Sequence, residues 1–422
     1  MGRLFRNIGW LLGGRAVNAV LSLVYLALAT RTLGLEGFGA FALIIALGQT
    51  VTGLASFQTW QFVVRWGSAA DGPGKATGFA MALDLLSVAM GSVLAAALVW
   101  AAQIWLPLPR DLLWLAFGFC LVSLLALRTT PIGVLRLRFR FGMATAAEAV
   151  QPVVRVVGAG LAAIFLPTVT GFILAWAAAE VAVAAALWIL AAREERIDLA
   201  QVSLRRIPRL HPDAWRFVWS TNMTGSLNIA GKQVMVLLVG AIGGAELAGG
   251  FRVASQLGQA LVHLAQAVSK AIYPELVHAQ EAAHGMARRM ANISMIGGIL
   301  AVSFALVFGR WGLQAIAGEA FGVVYWAMVI LAVAGAIELI GASLESLLVS
   351  TGRAGTAFLI RAVPTVLALA LLGMAMDWNG LNGAALTVLA SSALAVLGFR
   401  MAISSHQQVT MAVEPPSAKP GD

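Results

Sequence analysis

Apolar runs about twenty residues long recur along almost the whole chain, and they constrain its fold more than any other feature. They can be drawn at Ile8–Thr30, Phe38–Trp60, Thr77–Trp100, Leu112–Thr130, Met143–Leu166, Gly171–Ala191, Phe217–Ala241, Ala248–Ile272, Met290–Phe308, Val323–Ser350, Thr356–Met376 and Leu381–Phe399. A run of this length matches the hydrocarbon thickness of a bilayer when coiled as a helix. The composition agrees: 60% of the 422 residues are hydrophobic and 11% charged, with a mean hydropathy of +0.87. A water-soluble core cannot bury that much apolar surface. The expected fold is an all-α integral membrane protein of about twelve transmembrane helices. Soluble enzymes, secreted disulfide scaffolds and disordered chains are excluded, and the single Cys120 can form no internal disulfide.

The formal net charge of +9 could suggest nucleic acid, but the cations fall where membrane topology puts them. With the N-terminus inside, the cytoplasmic segments hold Arg3 and Arg6, Arg65 and Lys75, Arg136, Arg138 and Arg140, the run from Arg193 to Arg216, Arg288 and Arg289, Arg353, and Arg400. The other side has Arg31, Arg110 and Arg310. This bias places both termini in the cytoplasm. Tryptophans such as Trp60, Trp105, Trp114, Trp311 and Trp378 sit near run ends, as an interfacial belt would. The first run imitates a signal peptide, but Arg15 interrupts it, so it is read as the first span.

The chain repeats itself. A shift of 210 residues lays Gly34, Glu36, Gly39 and Phe41 over Gly244, Glu246, Gly249 and Phe251, Leu47-Gly48-Gln49 over Leu257-Gly258-Gln259, and Asn18 over Asn228. Between Gly14 and Phe57 the ungapped register holds 12 identities in 44 positions. An offset of six spans keeps the same membrane orientation, so the repeat is parallel, with a binding site expected in a central cavity between two six-helix lobes. The expected lobes are 1–192 and 217–401, with a cytoplasmic linker at 193–216 and a disordered cytoplasmic tail at 402–422 that contains Pro415, Pro416 and Pro420.

Ionisable groups inside spans cost roughly 2.5–3.5 kcal/mol each on insertion scales and need a reason. The first span carries Arg15, Asn18, Ser22 and Tyr25 on one helical face, and its repeat mate carries Thr221, Thr224, Asn228 and Lys232. The eighth span has the stripe Arg252, Gln256, Gln259, His263, Gln266 and Lys270, and the second span has Gln49, Thr52, Ser56 and Trp60. Interhelical hydrogen bonding would explain many of these, and Arg15 could snorkel. Lys232 and Arg155 lie mid-span and are expected to face water. The substrate-binding candidates are therefore the cations Arg15, Arg155, Lys232 and Arg252, with the stripe residues Asn18, Gln49, Ser56, Asn228, Gln256 and Gln259. Glu148, Gln151 and Arg155 follow i, i+3, i+7, which makes Glu148 a candidate partner of Arg155. The carboxylates Asp84, Glu180, Glu338 and Glu345 are candidates for ion coupling or structural pairing. The sequence offers no metal or cofactor site: His278 to His284 is not a metal-protease pattern, and no phosphate-binding G-x-x-x-x-G-K-[ST] loop occurs.

Three stretches, Asn7–Val20, Thr30–Phe41 and Leu54–Gly67, resemble the bacterial polysaccharide-transporter branch of the multidrug/oligosaccharidyl-lipid/polysaccharide exporter superfamily, the Wzx-type flippases. The resemblance implies a V-shaped pair of six-helix bundles around a central cavity, in the bacterial cytoplasmic (inner) membrane. It implies carriage of undecaprenyl-diphosphate-linked oligosaccharide, an O-antigen or exopolysaccharide unit, from the inner to the outer leaflet. It also implies cations from the first, seventh and eighth helices against the lipid diphosphate, here Arg15, Lys232 and Arg252. The implied partners are the polyprenyl-diphosphate-linked glycan, the bilayer, and a polysaccharide polymerase with its export machinery; nucleic acid is not among them. A cation-coupled drug antiporter of the same superfamily is the alternative and would use the carboxylates as its core. A major-facilitator carrier is disfavoured by the loop from Arg65 to Lys75, and a membrane glycosyltransferase by the absence of a large extramembrane loop. Topology is directly checkable: reporter fusions at Gly34 and Pro208 should report opposite sides of the membrane, and the same side for both would refute the assignment.

Overall fold

Gly34 stops the first helix where the sequence places a loop, and it does so in a conformation that side chains resist. Its φ of 68° lies in the left-handed region, and Gly244, its mate in the repeat, has φ 89° with nearly the same ψ. Only glycine takes that backbone at no steric cost. Each therefore divides a long helix into two arms: α1 (Gly2–Ala55) at Gly34 and α10 (Ala214–Leu276) at Gly244. Asn379 and Gly380 divide α13 (Ala354–Val413) in the same way.

The computed structural model describes residues 2–68, 72–195, 198–276, 283–350 and 353–413. Between α1 and α10 lie α2 (Thr59–Gly67), α3 (Pro73–Trp105), α4 (Arg110–Leu125), α5 (Thr129–Leu137), α6 (Phe141–Glu148), α7 (Val150–Phe165), α8 (Val169–Glu194) and α9 (Arg206–Leu210). After α10 come α11 (Ala283–Ala317), α12 (Tyr325–Ser350) and α13. There is no strand among the described residues. Nine stretches among them are long and apolar enough to cross a membrane, and three of these contain the breaks at Gly34, Gly244 and Asn379–Gly380. Large apolar side chains such as Ile104, Phe165, Trp114 and Val307 are exposed. In water such a surface would be an aggregation liability; on a membrane protein it is the lipid-facing belt.

The chain divides into two units, Met1–Arg252 with Leu313–Gly322, and Val253–Gly312 with Val323–Asp422. In the first, the two second arms cross where the repeat places glycine in each. A Cβ on Gly39 would lie 1.9 Å from the carbonyl oxygen of Ala245, and one on Gly249 would lie 2.9 Å from the Gly39 Cα. Arg31 donates to the carbonyls of Ala315 and Ile316 at the end of α11, and Phe38 meets Phe321 edge-on at 6.0 Å. The stretch after Asp198, expected as a polar linker, holds a 3-10 turn at Leu199–Gln201 and α9. Ile207 of α9 is fully buried among Phe57, Phe62, Trp66, Phe79 and Val218. The second unit is centred on the packing of α12 against α13, with Leu348, Ala357 and Phe399 in one cluster. There the second arm of α13 stays helical to Val413, with no glycine or proline between Gly398 and Pro415, and 414–422 lie outside the described residues.

Two expected spans are interrupted. The second arm of α1 ends at Ala55 and restarts as α2 at Thr59; α4 ends at Leu125 and restarts as α5 at Thr129. Backbone exposed at these breaks finds partners: Phe57 N–H donates to Ser87 Oγ at 3.4 Å, and Trp188 Nε1 donates to the Leu127 carbonyl at 2.8 Å. Broken helices persist at membrane depth only where neighbours satisfy the freed groups in this way.

Because backbone cannot retreat from a new methyl group as a side chain can, Gly39→Ala and Gly249→Ala should each lower stability by roughly 1–3 kcal/mol. Gly118→Ala, where a Cβ meets nothing within 4 Å, should be neutral or stabilising by up to about 1 kcal/mol. Thermal unfolding of the detergent-purified protein reads all three, and equal losses would refute the close crossing.

Candidate functional site

The polar residues of the first unit gather around Tyr25. This side chain is 5% exposed, and its hydroxyl has no hydrogen-bond partner. Its ring packs edge-on against Trp176 of α8 at 5.3 Å and lies tilted against Phe41 of α1 at 6.2 Å. Arg155 of α7 lies with its guanidinium 3.7 Å from the Trp176 ring centroid and 5.8 Å from that of Tyr25. A desolvated cation–π contact contributes about 2 kcal/mol, well short of a buried charge's full desolvation cost. The Nε of Arg155 is buried and unpaired. Arg252 of α10, 9% exposed, donates from Nη1 to Gln233 Oε1 at 2.6 Å and from Nη2 to Gln49 Oε1 at 3.3 Å. Both amide oxygens are neutral acceptors. Tyr25 lies within electrostatic reach of both guanidinium groups, and they lie within reach of each other. Neither arginine forms an ion pair among the described residues.

Glu180, one turn beyond Trp176 on α8, is not free to neutralise them. Its Oε1 accepts from Gln151 Nε2 at 2.7 Å and from Trp176 Nε1 at 3.0 Å, and its Oε2 pairs with Arg128 at 3.0 Å. Glu148 does not pair with Arg155. Glu148, the last residue of α6, is exposed, whereas the Arg155 guanidinium lies against Trp176.

Asp84 of α3 sits apart, 2% exposed, and accepts from three threonine hydroxyls. In the second unit Arg361 of α13 bridges two residues of α12, at 3.3 Å to Glu338 and 2.6 Å to Glu345. Of the other expected site residues, Asn18 and Lys232 are exposed, and Ser56 is half-buried at the first helix break. Gln256 and Gln259 are half-buried in the second unit, where Gln259 donates to Ser255. The side chains of Arg15, Asn228, His263, Gln266 and Lys270 lie outside those described. The structure thus brings Arg155, Arg252 and Gln49 together. It adds Trp176, Gln233, Arg128, Arg361 and the threonines, which sequence reasoning missed. Trp176 and Glu180 are four apart, and that spacing was the one available signal.

Long apolar helices, breaks satisfied from neighbouring helices and charged groups held in the bundle define a multi-pass membrane protein of transporter type. The chain belongs to the polysaccharide biosynthesis protein family, which it matches over residues 4–280. It is 30% identical over 284 residues to the inner membrane protein YghQ of Escherichia coli K12, covering 65% of this chain and 80% of that protein. Among solved structures it is similar to an inward-facing multidrug resistance MATE family transporter of the MOP superfamily, with TM-score 0.69 and 15% identity, covering 93% of this chain and 96% of that one. It is also similar to the lipid II flippase MurJ in an inward closed conformation, with TM-score 0.70 and 11% identity, covering 93% and 87%. At these identities the structural likenesses show the fold alone.

The Glu180 network gives a stability prediction. Glu180→Gln leaves Arg128 without its partner and should cost on the order of 2–3 kcal/mol, whereas Glu148→Gln on the exposed face should stay within about 0.5 kcal/mol. Melting of the purified variants tests this, and indistinguishable melting points would contradict the network.

Proposed function

We propose that this chain translocates a polyprenyl-diphosphate-linked oligosaccharide, such as an undecaprenyl-diphosphate-linked O-antigen or exopolysaccharide unit, from the inner to the outer leaflet of the bacterial cytoplasmic membrane. One observation carries the reading: Arg155 and Arg252 are held in the bundle without an ion pair among the described residues, both within electrostatic reach of a tyrosine whose buried hydroxyl has no partner. A diphosphate carries up to two negative charges and loses its hydration on entering a bilayer. Guanidinium groups fixed in advance replace that hydration with charge-assisted hydrogen bonds. Gln49, Gln233 and Tyr25 add donors for phosphate or sugar oxygens. The family and the similarity to a lipid flippase support the same reading.

The alternative, a cation-coupled drug antiporter, would use the carboxylates as its core, and of the four candidates only Asp84, which sits apart from the arginine pair, has no arginine partner among the described residues. Glu180 already holds three donors, and Glu338 and Glu345 share Arg361. The unneutralised pair is positive, which favours an anionic cargo. The proposal includes twelve crossings with both termini cytoplasmic, the repeat-related lobes 1–192 and 217–401, and supply to a polysaccharide polymerase and its export machinery. Arg15 and Lys232 belong to it as further candidate contacts with the diphosphate.

Arg155→Ala and Arg252→Ala should abolish complementation of a glycan-export mutant at unchanged membrane abundance, and Arg→Lys should retain part of it, since lysine keeps the charge but not the planar fork. A purely structural role would instead lower abundance and leave transport per molecule intact. Full complementation by both alanine variants at wild-type abundance would overturn the proposal.

A further inference from the structure

The cluster around Asp84 has more hydrogen-bond contacts than hydrogens. Thr59 Oγ1 lies 3.1 Å from Asp84 Oδ1 and 2.6 Å from Thr129 Oγ1; Thr129 Oγ1 lies 3.2 Å from Asp84 Oδ1; Thr130 Oγ1 lies 2.6 Å from Asp84 Oδ2 and 3.1 Å from Thr59 Oγ1. That makes five contacts among four side chains. A hydroxyl has one hydrogen to donate. With an ionised carboxylate, the three threonines fill three of the contacts and leave two as oxygen facing oxygen. A proton on the carboxyl turns an acceptor into a donor and fills a fourth.

The surroundings do not settle the charge the other way. Among the described residues no Lys, Arg or His pairs with Asp84. The charged groups of the elements packed against it are engaged elsewhere or remote. Arg65, near the end of α2, lies over Phe217. Arg128, at the cap of α5, pairs with Glu180 of α8, and Arg136 of α5 lies over Trp60. On its own helix Lys75 is more than two turns away, and on α4 Arg110 and Asp111 are in the first turn, at the end away from Thr129. The hydroxyls and the first turns of α2 and α5, which begin at Thr59 and Thr129, face the same carboxyl.

The location gives this proton something to act on. Thr59 opens α2 after the break at 56–58, and Thr129 and Thr130 open α5 after the break at 126–128. One turn along α3 from Asp84, Ser87 accepts the Phe57 N–H of the first break. Helices α2 and α5 pack closely: a Cβ on Gly133 would lie 2.8 Å from the Trp60 Cα. A change in which oxygen donates therefore falls on the joint of two broken helices at once.

We infer that Asp84, Thr59, Thr129 and Thr130 form a proton-binding site whose occupancy sets the joint between α2 and α5. The site does not depend on what the protein carries. The test is infrared difference spectroscopy of the full chain in lipid nanodiscs between acid and alkaline buffer. The expected result is a carbonyl band of a protonated buried carboxyl that titrates in the wild type, survives Glu180→Gln and Glu338→Gln, and disappears in Asp84→Asn. In Thr130→Val, which removes the short contact to Oδ2 and keeps the carboxyl, the titration should move by about tenfold in proton concentration; this variant reads the site even if Asp84→Asn fails to fold. Spin labels at the exposed positions Ser68 and Phe139, just beyond α2 and α5, in a Cys120→Ser background, should change separation across the same titration. No titrating band, a band that persists in Asp84→Asn, or one unmoved in Thr130→Val overturns the proton site. A separation that stays constant while the band titrates overturns its control of the joint.

Discussion

A guanidinium taken out of water without a carboxylate is among the costliest groups a folded chain can hold, and the first unit holds two. Arg155 and Arg252 obtain only ring faces and neutral amide oxygens in return. Several surrounding features follow from that constraint. Trp176 lies against Arg155, with its indole N–H turned away to Glu180. Tyr25 is packed by Phe41 and Trp176 so that its hydroxyl stays in the dry interior. Glu180, within electrostatic reach of Arg155, is occupied by Arg128 and Gln151. Pairing Arg155 with Glu180 directly would lower the cost and close the site. Charges left unpaired in a membrane interior mark function more often than structure.

The repeat supplies the frame that brings these groups together. Gln49 and Arg252 come from the second arms of α1 and α10, the pair of arms that cross at Gly39 and Gly249. Gly39 and Gly249 are themselves repeat equivalents, as are Gly34 and Gly244 with their matching backbone. One loop, duplicated, thus supplies two breaks and a close crossing, and the crossing carries Gln49 to Arg252.

Much of this was legible in the sequence, because hydropathy and a register of identical residues are properties of the chain itself. The all-helical membrane fold and the break at Gly34 with its copy at Gly244 could be read directly, and Arg155, Arg252 and Gln49, chosen as polar groups inside spans, fall in one neighbourhood. Side-chain pairing was less accessible, since it depends on what each helix face meets. Glu148 and Arg155 have the spacing of one face, yet Glu148 is exposed and Arg155 packs against Trp176, which spacing alone does not show. The restarts at Thr59 and Thr129 fall one residue before the ends of the runs drawn to Trp60 and Thr130, so hydropathy reads as the end of a span what is a break followed by a further helix. Arg128 and Arg361 escaped notice because a cation at a span end or beside carboxylates reads as topology until its partner is seen.

The acids of the bundle fall into two kinds once their partners are known. Glu180, Glu338 and Glu345 are each matched by an arginine. Asp84 is matched by hydroxyls alone. Among the described residues of the first unit, Arg155, Arg252 and the Asp84 carboxyl have no ion-pair partner, and the arginines and the carboxyl lie in separate networks. Had Asp84 faced Arg155, the two would have formed an internal ion pair, and an incoming anion would have had to break it at a cost of several kcal/mol. Kept apart, the arginines stay available to an anion and the carboxylate to a proton. Separation also lets one be occupied without discharging the other. Two sites that answer to different charges are one requirement for linking a solute to a proton; a coupling free energy between them is the other.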